Sequence, residues 1–380
     1  MKKIGIITIL HVNNYGAELQ AFALQHKLNE LGHNAELINY LFYKNPRFKS
    51  TKKSEPFIKL SLKQRVKEFV YPYFKTIKSL PYLQQKKLRD NKFSEFHKSY
   101  TKQTKEINTI DKLYASKFDY DVYVVGSDQV WNPNTNINIE PYFLTFAPKN
   151  KLKVSYASSF GVNSIPSTHQ EKYASLLDNL DIIGTREKTG VEIVESVSEK
   201  KATWVLDPTF LLNKNEWSEF EVSSEIIKPY LLMYVLTNSD YISNLATQIA
   251  EKHNLQIVRI CKNAFIEDKS ENVINIIDAG PREYLGLFAK ANFILTTSFH
   301  GTCFSVNFNI PFYTILKKNK TNNSRQIDLL ADLGIKERIL FVNDKVSNDE
   351  VMSINFTDVN VKLEKKRANS LKFLTDAISE

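Results

Sequence analysis

Phe293-Ile294-Leu295-Thr296-Thr297-Ser298-Phe299-His300-Gly301-Thr302-Cys303-Phe304-Ser305 reads as a buried strand that stops at a polar turn and resumes as a helix. The turn gathers a histidine, hydroxyls and a glycine beside the first N–H groups of a helix, which lack internal partners and sit at the positive end of the helix dipole. An anion site is the expectation. On either side the same rhythm continues. Tyr230–Leu236, Gln256–Ile260, Asn272–Ile277 and Pro311–Leu316 read as strands. Tyr241–Asn254, Pro281–Ala289, Thr302–Phe308 and Ser324–Gly334 read as helices, the last with Ser324 as its cap.

The first half has the same design. Lys3–Leu10 and Asn34–Tyr40 are strands around the helix Gly16–Leu31, which Gly32 ends. Further strands are expected at Tyr120–Val125, Lys153–Ser158, Asp181–Thr185 and Trp204–Leu206, and a closing helix at Val361–Ile378. Alternating β and α elements predict an α/β protein with parallel sheets. The expectation is two doubly wound, Rossmann-like domains facing a cleft, residues 1–212 and 213–365, with residues 366–380 packing back on the first. Ligands of such sheets bind beyond the carboxyl ends of the strands.

The chain has 380 residues, 42% of them hydrophobic and 24% charged, which suits two globular cores. No apolar run reaches the ~18 residues a membrane span needs. Met1-Lys2-Lys3 before Ile4–Leu10 mimics a secretion signal, but the run is short and no small-residue cleavage site follows, so a first strand is expected. With only Cys261 and Cys303 there is no disulfide framework and no zinc pattern, and a reducing cytoplasm is expected.

The net charge of +9 is concentrated. From Lys44 to Glu106 eighteen Lys/Arg face five Asp/Glu, so the remainder is mildly acidic. This basic insertion, about residues 44–110, interleaves lysines with Phe57, Val66, Phe69, Tyr71, Tyr73, Phe74, Tyr82, Phe93 and Phe96 and predicts two or three helices. Such a segment fits a membrane surface, an anionic ligand or nucleic acid, or a solvated helical face.

Neither Gly-x-Gly-x-x-Gly nor Gly-x-x-x-x-Gly-Lys-Ser/Thr is present, so dinucleotide binding and NTP hydrolysis lack motif support. The first turn instead offers Asn13-Asn14-Tyr15-Gly16, amides and a ring suited to a polyhydroxyl ligand, although Asn and Gly also favour turns. After the Tyr120–Val125 strand come Asp128, Gln129 and Trp131: a carboxylate to take a proton from a hydroxyl, an amide to orient a sugar, an indole to stack on it, or equally a cap and a core residue. Around His300 no carboxylate occurs between Glu283 and Asp328, while Lys290, Lys317, Lys318, Lys320 and Arg325 do. A cation in the first turn of a helix, as at Arg325, is misplaced unless an anion binds there. A nucleotide-sugar enzyme of two-domain form would need an acid here for the ribose hydroxyls. A compact, multiply charged donor fits better.

Asn14-Tyr15-Gly16-Ala17 with Leu19-Gln20-Ala21, Gly126-Ser127-Asp128-Gln129-Val130-Trp131-Asn132, Arg186-Glu187, Asp207-Pro208-Thr209, Ser298-Phe299-His300-Gly301-Thr302 and Asn323-Ser324-Arg325 together resemble the polysaccharide pyruvyl transferase family. The resemblance implies a GT-B-like fold and transfer of a pyruvyl group from phosphoenolpyruvate to two hydroxyls of one sugar, giving a ketal. It implies a sugar or lipid-linked glycan acceptor from capsule, exopolysaccharide or cell-wall synthesis, and no cofactor or metal. Many members carry Arg two positions before the motif histidine, where this chain has Ser298.

On that chemistry His300 is the expected proton donor or phosphate ligand, and Asp128 the base. Ser298, Gly301, Thr302, Lys317 and Arg325 are expected to bind the donor, and Asn14, Tyr15, Gln129 and Trp131 the acceptor. Residues 44–106 would touch the inner face of the membrane, and no nucleic acid is expected. The rival readings are a GT-B glycosyltransferase using a nucleotide sugar and a non-enzymatic basic protein that binds nucleic acid or membrane.

Overall fold

A computed structural model describes the chain except residues 52–65, 67–69, 71–76, 78–79, 135–137, 264, 266–271, 319 and 347–350. The first sheet contains β1 (Lys3–Ile7), β2 (Asn34–Leu37), β3 (Val122–Val125), β4 (Leu152–Ser158), β5 (Ile182–Thr185) and β6 (Ala202–Trp204). Its order is β2-β1-β3-β4-β5-β6. The second contains β7 (Tyr230–Tyr234), β8 (Gln256–Ile260), β9 (Val273–Ile276), β10 (Phe293–Thr296), β11 (Phe312–Leu316) and β12 (Ile339–Phe341), in the order β12-β11-β10-β7-β8-β9. Every pairing is parallel. Parallel strands covered on both faces need apolar runs rather than alternation. β3, Val122-Tyr123-Val124-Val125, and β10, Phe293-Ile294-Leu295-Thr296, supply them, with every residue buried.

The strand order reverses between β1 and β3 in the first sheet and between β7 and β10 in the second. Crevices open at such switch points. They are the ends that the Asn14, Asp128 and His300 turns follow. The fold is therefore two six-stranded parallel α/β layers of GT-B-like form.

Four elements depart from the sequence expectation. The helix after β10 begins at Phe299, not Thr302, because Ser298 caps it: its side chain accepts from the Gly301 N–H at 3.3 Å. Ser324 begins its helix without capping it; the residue before, Asn323, donates its amide to the Lys317 carbonyl at 2.8 Å. The helix Ser167–Asp178 and the three-residue β12 are additions to the expected elements, the latter too short to show a period.

Within the basic insertion, one helix, Leu83–Tyr100, is wedged against the second half. Phe93 and Phe96 are 1% exposed, a burial worth roughly 1.5–3 kcal/mol for each ring. Buried Arg89 donates to the carbonyls of Cys261 at 2.9 Å and Lys262 at 3.1 Å. Lys92 pairs with Glu283 at 3.1 Å. Through Arg89, Lys92, Phe93 and Phe96 this helix is structural cement between the halves. Phe57, Phe69, Tyr71, Tyr73 and Phe74 lie outside the described residues.

The closing helix runs unbroken from Phe356 to Ser379. Its first turns touch the second half, where Lys362 donates to the Leu333 carbonyl at 3.2 Å. Farther along, Arg367 Nε donates to the Phe210 carbonyl at 2.6 Å and Ser370 Oγ accepts from the Leu206 N–H at 3.0 Å. Phe373 fills the space over Gly184, where a Cβ would lie 2.7 Å from the ring. Among the described residues no helix is long and apolar enough to cross a membrane.

Candidate active site

The strand ends of the two sheets meet at a cavity of about 280 Å³. Asn14 follows β1, Asp128 and Gln129 follow β3, Ser298 and His300 follow β10, and Lys317 follows β11. Lys320 and Arg325 close its outer side.

His300 stands in the first turn of the Phe299–Asn307 helix, buried, with its Nε2 3.5 Å from Asp207 Oδ2. Asp207 comes from the other half. Its backbone leaves β6 into the short turn Pro208–Phe210, which its own side chain caps by accepting from Thr209 N at 3.0 Å and Thr209 Oγ1 at 2.8 Å. Oδ2 accepts from Ser127 Oγ at 2.9 Å and from Arg186 Nη1 at 3.1 Å. Burial alone pushes a carboxyl group up, yet the His300 imidazole, the Arg186 guanidinium and the Thr209 N–H hold Asp207 far below the usual carboxylate range. The ionised Asp207 carboxylate faces Nε2 and orients the ring.

The other side of the imidazole meets Gly16. A Cβ on Gly16 would stand 2.0 Å from His300 Nδ1, so only glycine allows the first helix, Tyr15–Glu30, to approach this closely. Asn14 caps that helix, accepting from Gly16 N at 3.0 Å. The histidine is thus held between a carboxylate and a helix start, both contributed by the first half.

Arg186, following β5, is fully buried and is held charged by Asp207, Asp128 and Glu187. Its Nη2 faces Asp128 at 3.7 Å. Asp128 adopts φ of +80°, a left-handed conformation that Asp tolerates better than most residues, and its carboxylate accepts from Gln129 N at 2.8 Å. Glu187 accepts from Ser159 Oγ at 2.8 Å and Phe160 N at 3.1 Å, so it is spent on the fold.

Arg325 lies in the first turn of the Ser324–Leu333 helix. With the Gln129 amide oxygen turned toward it, Arg325 donates from Nη2 at 2.9 Å and Nη1 at 3.3 Å. Burial and the like charge of Arg186 push its pKa down to about 10. Both guanidinium groups rest against the Phe299 ring, with centroid distances of 4.6 Å for Arg186 and 5.3 Å for Arg325. Each such contact is worth about 0.5–2 kcal/mol, which eases but does not cancel the repulsion between two cations. An anion bound between Arg325, Lys317 and Lys320 would offset it.

Several expected ligand contacts fall elsewhere. Gly301 N–H is taken by Ser298 Oγ and Thr302 N–H by the Ser298 carbonyl at 3.0 Å, so neither points at the cleft. Thr302 Oγ1 donates to Thr314 Oγ1 at 2.9 Å in the core. The N–H groups of Phe299 and His300 are the ones left without helical partners. Gly301 is needed for contact instead, since a Cβ would lie 2.2 Å from Thr296 Oγ1. Tyr15 is core: it stacks on Tyr284 at 4.5 Å and donates to the Ala279 carbonyl at 2.9 Å. Trp131 is core as well, 0% exposed, stacked on Phe143 at 4.9 Å, with Nε1 donating to the Tyr142 carbonyl at 2.7 Å. It cannot stack on a sugar.

The sequence alone assigns no role to Arg186, Asp207 or Phe299. The signal was present, since Arg186 and Asp207 each follow a buried strand at its carboxyl end. Asp-Pro-Thr simply reads as turn chemistry. The cation-only region around His300 receives its carboxylates from the opposite half.

A family model described as polysaccharide pyruvyl transferase matches residues 14–317. No curated protein matches the chain. Among solved structures, the chain is similar to a UDP-GlcNAc 2-epimerase from Methanocaldococcus jannaschii in complex with UDP-GlcNAc and UDP, with 12% identity over 99% of each chain and a TM-score of 0.47. It is also similar to the Neisseria meningitidis UDP-GlcNAc 2-epimerase bound to UDP-GlcNAc, with 10% identity over 100% of this chain and 99% of that one, TM-score 0.47. A putative UDP-N-acetylglucosamine 2-epimerase from Listeria monocytogenes has 8% identity over 96% and 90%, also with TM-score 0.47.

Proposed function

The chain belongs to the polysaccharide pyruvyl transferase family, and from that premise we propose that it moves a pyruvyl group from phosphoenolpyruvate to two hydroxyls of one sugar. The observation that carries this reading is His300, held between Asp207 and Gly16 at the wall of a cavity that Lys317, Lys320 and Arg325 also line. A cavity of about 280 Å³ lies at or just below the lower end of the usual ligand-pocket range of roughly 300–1,000 Å³, which favours a compact donor over a nucleotide sugar.

Phosphoenolpyruvate is an enol phosphate with a carboxylate. Protonation of its methylene carbon by His300 makes the adjoining carbon an oxocarbenium-like electrophile. One sugar hydroxyl adds to that carbon and loses its proton to Asp128. The C–O bond to phosphate then breaks, phosphate leaves with its electron pair and takes up a proton, and the second hydroxyl closes the ketal as its own proton departs. Arg325 and Lys317 hold the carboxylate and phosphate. The Phe299 and His300 N–H groups, at the positive end of their helix, add to that clamp. Asn14 and Gln129 orient the sugar. The steps as written call on no metal or redox cofactor.

The acceptor in this reading is a glycan unit of capsule, exopolysaccharide or cell-wall synthesis, handled at the cytoplasmic face of the membrane. Leu80 and Leu83, each 54% exposed, and Leu88, 44% exposed, flank Lys86 and Lys87 and give residues 80–88, within the basic insertion, a lysine-and-leucine surface suited to anionic lipid. Sedimentation with phosphatidylglycerol vesicles should be lost when Leu80 and Leu83 become Ser.

The deciding assay is acceptor-dependent phosphate release from phosphoenolpyruvate, with mass spectrometry of the glycan. Release that ignores the acceptor, or glycans that never gain a pyruvyl group, would defeat the proposal. Stabilisation by nucleotide sugars but not by phosphoenolpyruvate in thermal shift would favour the glycosyltransferase rival.

A further inference from the structure

The helix Ser324–Leu333, anchored by buried Leu329, Leu330 and Leu333, carries two side chains across to the first half. They stand three positions apart, on one flank and roughly 4.5 Å apart along the axis. Arg325 reaches the turn after β3, where the Gln129 amide oxygen receives it. Asp328 reaches the turn after β5, where its Oδ2 accepts from Thr189 N and from Thr189 Oγ1, each at 3.5 Å.

The Lys188–Val197 helix lacks a cap of its own. Glu187, at the capping position, makes no side-chain bond to the first turn, because its carboxylate is taken by Ser159 and Phe160. The first N–H groups of a helix have no internal partners, and a carboxylate there faces the positive end of the dipole. Asp328 supplies that carboxylate from the opposite half. The turn it grips also carries Arg186, the partner of Asp207.

Stability does not account for Asp328. Burial pushes its pKa up, Glu192 adds repulsion, and the Thr189 and Lys188 N–H groups oppose this only in part. A carboxyl group whose pKa is raised on folding is less stable ionised in the fold than in the unfolded chain, so at pH 7 the charge is a cost. Its bonds to Thr189 are also longer than the usual length of about 2.7–3.2 Å, which leaves the contact a few tenths of an ångström to close. The Arg325 side is already tight. Gln129 rests on Gly161, at φ of +60°, where a Cβ would stand 2.6 Å from the Gln129 amide.

We propose that Asp328 is a positioning residue for the donor: by capping the Lys188–Val197 helix across the seam, it sets Arg325, one turn earlier on its own helix, against Gln129 and in the donor cavity. Among the described residues Arg325 and Gln129 line that cavity and Asp328 does not, so its effect passes through Arg325. The inference rests on the pyruvyl-transfer reading for the identity of the anion, and not for the coupling between Asp328 and Arg325.

A double-mutant cycle on the full-length chain tests it, with calorimetry of phosphoenolpyruvate and of inorganic phosphate. Asp328→Ala should weaken phosphoenolpyruvate binding about tenfold and raise its KM likewise, with a smaller change in kcat. In an Arg325→Ala background the same substitution should change affinity by less than about twofold. Asp328→Asn keeps an accepting oxygen and should recover most of the affinity. Thr189→Val removes one of the two donors and should weaken binding less, again only while Arg325 is present; it carries the test if Asp328→Ala does not fold. Native affinity in Asp328→Ala, a loss repeated in full without Arg325, or an Asn variant as weak as the Ala variant would overturn the proposal. If the native chain binds phosphate and not phosphoenolpyruvate, the donor reading falls and the cycle is decided on phosphate. Binding of neither anion, or binding that Arg325→Ala leaves intact, overturns the positioning role.

Discussion

The first sheet brings Asp128, Glu187 and Asp207 to its carboxyl edge, whereas the second brings His300, Lys317, Lys320 and Arg325. Both have six parallel strands and a switch point beside the second-placed or central strand pair, yet one edge is acidic and the other basic. Arg186 is the exception, and it is neutralised where it stands by Asp207. Neither edge alone makes up the proposed site. His300 without Asp207 has no group to orient its Nε2, and Asp207 without Arg186 and His300 is a buried, isolated charge. The chemistry therefore belongs to the seam, and the comparison can be broken from either side.

The largest effect should come from the basic edge at His300. His300→Ala removes the proposed proton donor and should cut acceptor-dependent phosphate release about 10²–10⁴-fold with the circular dichroism spectrum unchanged. Full turnover in that variant would show that the proton comes from elsewhere.

On the acidic edge, Asp207→Asn leaves Arg186 without its buried counter-charge. Loss of about 3–5 kcal/mol is expected from denaturant unfolding at pH 7. The pH dependence carries a sign. The folded-state pKa of Asp207 is depressed, so its contribution is present above the ordinary carboxylate value near pH 4 and is lost as the pH falls below it. The native protein should lose stability more steeply in acid than Asp207→Asn does, and parallel acid limbs would contradict the pairing.

The seam itself is probed at Gly16. Gly16→Ala would push the His300 ring from its place, and a displacement near 1 Å should lower kcat about 100-fold, with the KM for phosphoenolpyruvate little changed. Arg325→Ala should act the other way, raising that KM about tenfold or more with a smaller change in kcat, as removal of one charged contact to a ligand implies. The smallest effect is expected at Trp131. Trp131→Phe should cost roughly 1–3 kcal/mol of stability for the lost packing and leave KM for donor and acceptor unchanged, since the indole never reaches the cleft.

Most of the fold was legible because buried parallel strands write themselves as apolar runs, and β3, β7 and β10 do so plainly. The position of the site was legible for the same reason: polar residues right after such runs sit at strand ends. What a single residue does there was less so. Trp131 and Tyr15 carry chemistry that serves a core as well as a sugar, and only their neighbours Phe143 and Tyr284 decide between these. Gly16 gives no local sign of what it accommodates, because His300 lies 284 positions away in the chain. Asp207 looked like an ordinary turn residue, and it is one; its cap on Thr209 and its pairing with Arg186 use different oxygens of the same carboxylate.

The closing helix, Phe356–Ser379, holds the second half through Lys362 and the first through Arg367 and Ser370, while Arg89 ties the halves again at a separate place. A molecule tied twice across its seam resists wide opening, because a large hinge would have to tear one of the two ties. The motion left to it is shear, a sliding of a few tenths to a few ångströms between packed layers. In mechanical terms the two ties make it closer to a press with a stiff frame than to a pair of jaws.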